Sequence, residues 1–283
     1  MLRIGTCSWK YDFWKGIIYP EKEEINFLVE YSKHFNTVEI DQWFWSLFEP
    51  KKATLPKESD VKSYSESVPD DFRFTIKIPN SLTLTHFYNK SKTDDLKANP
   101  YFLDNDLFDK FLETLKPMQK KIGVLMFQFE YLNKQKLSGL TEFLDRFESF
   151  IESIDKKYDY GVEIRNPNFL KKPFFDFLER NKLSMVFLQG YYMPPIWEVF
   201  NEYKDHIKST AVIRLHGPDR SGIEKKTNSI WNQIVEPKDD ELEKVAEIIH
   251  YLQNKKVDTY VNVNNHYEGS APLTINKINT LIK

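Results

Sequence analysis

The sequence predicts an α/β protein: one domain over residues 1–283, a single-domain TIM-type (β/α)8 barrel with long loops after strands 2, 3 and 7. Two observations carry this expectation. Eight short apolar runs recur from end to end, most of them separated by stretches with helical spacing, as parallel strands joined by crossover helices would be. No glycine-rich dinucleotide turn follows the first run, because Gly5 stands alone before Thr6-Cys7-Ser8-Trp9, and there is no P-loop. That argues against an open doubly wound sheet.

Leu2 to Cys7 is the first strand, and Ile25, Leu28, Tyr31 and Phe35 then recur as on a helix. Thr37 to Trp43 alternates, with Val38 and Ile40 on one face and Glu39 and Asp41 on the other. Phe72 to Ile78 does the same, and a helix bearing Leu107, Phe108, Phe111, Leu112 and Leu115 must end before Pro117. Ile122 to Phe129 is almost wholly apolar, as a strand covered on both faces should be. A helix carries Phe143, Leu144, Phe147, Phe150, Ile151 and Ile154. Tyr160 to Arg165 is a strand, Phe174 to Leu178 begins a short helix, and Ser184 to Gln189 is a strand broken by Gly190 to Pro195. Ala211 to His216 and Thr259 to Asn265 are the last two strands, around a helix with Leu242, Val245, Ala246, Ile249 and Leu252. Ser270-Ala271-Pro272 offers a cap and an early-turn proline for the final helix. The long loops cover residues 44–71, 79–104 and 217–237, on the face where barrels of this kind keep their sites.

Composition narrows the function. Lys plus Arg is 40 and Asp plus Glu is 42, for a formal charge of -2, so a polycation that coats nucleic acid is excluded. Lysine pairs such as Lys51-Lys52 and Lys120-Lys121 are scattered among acids and read as solvated faces. One cysteine, Cys7, excludes a disulfide framework and fits a reducing compartment. No run approaches a membrane span and no leader pattern opens the chain, so a cytoplasmic protein is expected. Oligomeric state is not legible.

Alternation supplies the candidate site. Val38, Ile40, Val162, Ile164, Ile213 and Leu215 would face the helices. Their strands, with the neighbouring ones, turn Glu39, Lys77, Gln128, Glu163, Arg165, Arg214, His216, Asn262 and Asn264 the other way, toward the barrel axis. Buried alone, each ion would cost several kcal/mol, so these groups must pair, meet water or take a ligand.

At these residues the chain resembles the YecE-like family, also called domain of unknown function 72. The resemblance rests on Ile4-Gly5-Thr6-Cys7-Ser8-Trp9, Trp14-Lys15-Gly16, Tyr19-Pro20, Phe35-Asn36-Thr37-Val38-Glu39-Ile40, Phe72-Arg73-Phe74-Thr75-Ile76-Lys77 and Thr85-His86. It continues through Leu125-Met126-Phe127-Gln128, Val162-Glu163-Ile164-Arg165, Arg214-Leu215-His216-Gly217 and Asn264-Asn265 with Gly269 and Ala271. It implies a TIM-type barrel and no particular activity. Likeness to xylose-isomerase-like and endonuclease IV-like barrels would point to sugars or nucleic acid, by analogy of fold alone. The chain departs from the family pattern at Asp41-Gln42-Trp43-Phe44-Trp45, at Asn166 where a histidine is usual, and at Phe169 in place of a tryptophan. If the usual histidine acts as a ligand or base in relatives, this chain would either lack it or use His86 or His216 instead.

The chemistry expected is acid–base catalysis, a hydrolase or isomerase on a small anionic or sugar-phosphate-like substrate. Glu163 or Glu39 would be the base and His216 or His86 the acid. Lys77, Arg165 and Arg214 would bind the anion, with Gln128, Asn264, Asn265 and Trp9 as further contacts. The alternative is a non-catalytic barrel that binds a metabolite or a nucleic-acid end, though the net charge gives nucleic acid no support. No cofactor is expected. A divalent metal is the less favoured reading, since HxH, HExxH and CxxC spacings are absent and nearby cations oppose it. Cys7 reads as a small packing residue rather than a nucleophile.

Overall fold

The computed structural model describes residues 1–48, 52–88 and 95–283. Lys51 and parts of the two loops at 44–71 and 79–104 lie outside the described residues. The strands are β1 (Leu2–Thr6), β2 (Thr37–Ile40), β3 (Leu47–Phe48), β4 (Lys52–Ala53), β5 (Arg73–Lys77), β6 (Ile122–Gln128), β7 (Tyr160–Glu163), β8 (Ser184–Gly190), β9 (Thr210–Gly217) and β10 (Asp258–Val263). Eight of them close into a barrel in the order β1-β10-β9-β8-β7-β6-β5-β2, every pairing parallel. The remaining two, β3 and β4, form a small antiparallel hairpin above the barrel's second strand.

Helices α1 (Phe27–Ser32), α2 (Glu58–Glu66), α3 (Asn80–Thr83), α4 (Asn105–Thr114), α5 (Leu140–Ser153), α6 (Lys172–Arg180), α7 (Ile196–Tyr203), α8 (Arg220–Thr227), α9 (Asp239–Asn254) and α10 (Ala271–Leu281) connect the strands. Several starts are chemically marked. Asn26 accepts from the Leu28 and Val29 amides at α1, Asp104 from Leu107 at α4, and Asp219 from Gly222 at α8. The α10 start differs from expectation. Ser270 holds the cap position, but its buried hydroxyl has no partner; Asn265 Oδ1 accepts from the Ala271 amide at 2.8 Å instead.

The loop expected over 44–71 carries a crossover helix, α2, which the sequence reading leaves out. Its apolar signal is only Val61 and Tyr64 against a polar remainder, too narrow a stripe to stand out from a loop. Among the described residues, no helix is long and apolar enough to cross a membrane.

Two apolar layers hold the barrel. Outside it, Ile40, Phe74, Phe127, Val162, Ile213 and Val261 pack against the helices within one continuous core. Phe108, Phe127, Phe129, Phe143, Phe147 and Phe150 form the ring-on-ring part of that core. Burying each such ring stabilises by about 1.5–3 kcal/mol. Inside, Val124, Met126, Val186, Val212 and Tyr260 form a separate plug in the amino-terminal half of the barrel. Above that plug the interior turns polar, which is where the candidate site lies.

Candidate functional site

Arg214 is the hub. It comes from β9 and is 2% exposed. Its Nε and Nη2 donate to the two oxygens of Glu39 at 2.8 and 2.6 Å, a bidentate fork. Its Nη1 donates to Glu163 Oε2 and, at 3.2 Å, to Gln128 Oε1. Glu163 also accepts from Arg165 Nε at 3.0 Å. Asn262 Nδ2 donates to Glu39 Oε2 at 3.3 Å and to Thr75 Oγ1 at 2.9 Å. Six strands thus meet in one buried network. Burial alone would push the Glu163 carboxyl up, but Arg214, Arg165 and Lys77 together hold it below its ordinary value.

The outer residues of this network are more open. Arg165 is 30% exposed, and its guanidinium lies 4.9 Å over the Tyr191 ring. With Tyr88, Glu130, Tyr131, Tyr191 and Tyr192 it lines a cleft of about 840 Å³. Tyr88, Tyr131 and Tyr192 are exposed, and Trp45 stands beside Tyr88 at 5.8 Å. Four strand-to-helix loops therefore supply an aromatic wall around one cationic group. Lys77 has no ion pair among the described residues; its Nζ sits 3.9 Å from the Phe44 ring centroid.

Three groups here are tuned toward neutrality. Burial, then repulsion from Arg214, pulls Lys77 down to about 8. Burial, then repulsion from Glu39, pushes Asp41 up to about 6. Burial, followed by Arg214, Arg165 and Lys77, holds His216 well below its usual value, so its imidazole is neutral. Its Nε2 lies 3.6 Å from Cys7 Sγ and its Nδ1 lies 3.4 Å from the Tyr191 hydroxyl.

This tuning costs stability. Lys77 titrates lower in the folded chain than in the unfolded one, so between about pH 8 and its ordinary value near 10.5 the unfolded state holds more protons. Wild-type stability should therefore rise with pH across that window. Lys77→Met is expected to stabilise the protein by about 1–3 kcal/mol at pH 7, with the gain shrinking as pH climbs toward 10. Urea titrations at several pH values check this; a variant no more stable than wild type at pH 7 refutes it.

The expected site residues divide sharply. Glu39, Gln128, Glu163, Arg165 and Arg214 are brought together by hydrogen bonds, with Lys77 and His216 in their field. Four others serve differently. His86 bonds to the Thr85 hydroxyl at 3.0 Å, and that hydroxyl reaches Glu130 at the cleft's edge; His86 has no bond to the Arg214 network among the described residues. Trp9 is corrected from ligand contact to core: it is 1% exposed and packs at right angles to Tyr64, so a ligand has no access to its ring. Asn264 Oδ1 accepts from the His266 amide at 2.9 Å, a local turn, and Asn265 gives its Oδ1 to the α10 start while its buried Nδ2 has no partner among the described residues. Asn166 is tied to the Leu132 backbone through both ends of its amide. Asp41, Cys7 and Tyr191 were missed as site residues. Asp41 had a signal, since period two places it on the same face as Glu39; Tyr191, on a loop, had none.

The fold and this cluster define a class: a parallel (β/α)8 barrel with a charged interior opening on an aromatic mouth at the carboxyl ends of its strands. The chain belongs to the DUF72 family. The model of the family described as "Protein of unknown function DUF72" matches residues 3–283. The chain is 30% identical over 173 residues to the UPF0759 protein YecE of Escherichia coli, in strain K12 and in O157:H7 alike, covering 61% of this chain and 51% of that protein. It thus spans about half the length of the curated relatives it matches. Its fold is similar to that of a DUF72 family protein from Thermotoga maritima MSB8, with TM-score 0.69, 20% identity, and coverage of 100% of this chain and 99% of that one. It is also similar to one from Enterococcus faecalis V583, with TM-score 0.67, 18% identity, and coverage of 100% and 95%.

Proposed function

We propose that this protein is an acid–base enzyme, a hydrolase or isomerase, whose mouth takes a small anionic substrate with a ring, of the sugar-phosphate kind. One observation carries the proposal: a buried lysine without a carboxylate partner among the described residues shares the barrel mouth with an arginine whose terminal nitrogens face an aromatic cleft. A buried cation with no direct carboxylate contact among the described residues favours an anionic ligand. Among the described residues Arg165 donates through its Nε alone, to Glu163, which leaves its Nη groups to fork onto a phosphate or carboxylate. Tyrosines around it offer faces to a sugar or planar ring.

The roles differ from those the sequence favours. Glu39 and Glu163 spend their oxygens on Arg214 and Arg165, so they hold cations in place rather than take a proton. Asp41, near 6, suits a general base, and Lys77, near 8, a general acid. Turnover should then follow a bell, falling below about pH 6 and above about pH 8.

The test is binding of inorganic phosphate and a panel of phosphorylated sugars, read by calorimetry. Arg165→Ala is expected to weaken binding roughly 10–100-fold, the value of one charged hydrogen-bonding contact. No binding by wild type, or equal binding by the variant, ends the proposal. Binding without turnover across the panel would instead favour a non-catalytic metabolite-binding barrel. Salt-sensitive capture of oligonucleotides with no affinity for the sugars would favour the nucleic-acid reading.

A further inference from the structure

Three side chains below the mouth make a second arrangement. Cys7 follows β1, Glu39 lies on β2 and His216 on β9, and all three are buried. One donor atom from each lies within 4.8 Å of the other two. They are far apart in sequence, so no ligand spacing announces them.

We infer that Cys7, Glu39 and His216 form a site for one thiophilic divalent cation of the zinc type. The sulfur and Nε2 are 3.6 Å apart. Tetrahedral zinc, with bonds of about 2.3 Å to sulfur and 2.0–2.1 Å to nitrogen, spaces those donors by roughly 3.5 Å. The carboxylate need draw in only on the order of 1 Å to complete a three-ligand set, leaving a fourth position for water or substrate, as zinc centres that do chemistry have.

The surroundings agree. Among the described residues Glu39 Oε1 accepts from Arg214 Nη2 alone and keeps a lone pair, whereas Oε2 serves both Arg214 and Asn262. The His216 ring turns its other nitrogen to the Tyr191 hydroxyl at 3.4 Å, the kind of outer partner that orients a ligating imidazole. Asn262, which holds Glu39, has a buried Oδ1 with no donor among the described residues. Such an orphan acceptor calls for an ion or water nearby. Glu163 also pairs with Arg214 beside the site, and Asp41 adds a further carboxylate.

Loading is balanced as follows. The Cys7 thiol gives up its proton to solvent, the thiolate takes the cation, and the neutral imidazole and the carboxylate bind without releasing one. One proton leaves per cation bound.

The inference is independent of the anion-binding proposal, and its readouts involve no anion. The full-length protein, dialysed against zinc and then passed over a desalting column, should retain one zinc per chain by elemental analysis. Loaded with cobalt(II), it should show a near-ultraviolet thiolate-to-cobalt charge-transfer band. Cys7→Ser should abolish the band and lose the stoichiometric metal, while Tyr191→Phe should weaken affinity about 10–100-fold and keep the band. If Cys7→Ser does not fold, X-ray absorption at the zinc edge of the unaltered protein decides: one sulfur neighbour is expected. Folded wild type that retains no zinc or cobalt, or retains it without a sulfur ligand, overturns the inference and leaves Cys7 and His216 as a simple thiol–imidazole contact.

Discussion

Arg214→Met is expected to cost about 3–5 kcal/mol of stability, a large share of the 5–15 kcal/mol that holds a typical domain together. The guanidinium touches Glu39, Glu163 and Gln128 from inside a barrel where none of these side chains meets appreciable solvent. Removing it strands two carboxylates in the interior. Lysine is no substitute, because a single ammonium cannot reproduce the fork across Glu39 together with the bond to Glu163. The pH dependence is diagnostic. Arg214, Arg165 and Lys77 overcome burial to hold the Glu163 carboxyl below its ordinary value, so its share of stability is present above the unfolded pKa and fades as pH falls through the folded one. The gap between wild type and Arg214→Met should therefore narrow in acid. Adding Glu39→Gln and Glu163→Gln to Arg214→Met should restore more than half of the loss at pH 7, because neutral amides need no counter-charge. Denaturant titrations measure all of this. A loss under about 1 kcal/mol would show that water, not Arg214, compensates the acids.

Gly5→Ala is the second large effect, near 3 kcal/mol at the upper end of the overpacking range. A Cβ at this position would lie 2.0 Å from the Thr37 carbonyl oxygen, 2.8 Å from its carbonyl carbon and 2.9 Å from its Cγ2. Two of these are backbone atoms, so relief requires moving β2 itself. That strand carries Glu39 two residues on, and a shift would loosen the Arg214 fork. The variant should thus lose stability and cobalt or phosphate binding together. Gly139→Ala is the control: a Cβ there meets nothing within 4 Å, and the change should stay within about 0.5 kcal/mol. Equal stability for Gly5→Ala and wild type would mean that β1 and β2 are not held at this spacing.

Much of the fold is legible along the chain because its periodicities are local. Val38 against Glu39 and Ile213 against Arg214 announce strands with one apolar and one polar face. The wide stripe of Phe143, Phe147, Phe150 and Ile151 announces a helix before any contact is known. Where the local signal is thin it fails, as at α2, whose place is fixed by the closed barrel rather than by its own composition. The polar lining was equally readable, for the same period-two reason, and Asp41 stood on the right face from the outset.

What each polar group does was decided only when the strands closed. The sequence by itself determined a parallel eight-stranded barrel and which side chains turn inward. Tertiary structure decided that Arg214 would claim Glu39 and Glu163, that Lys77 and Asp41 would be left to titrate near neutrality, and that Cys7 would meet His216. The reason is physical. Facing is set by the backbone's two-residue repeat, but partnership and charge state depend on distances and burial between residues as much as 223 positions apart, which exist only once the cylinder shuts.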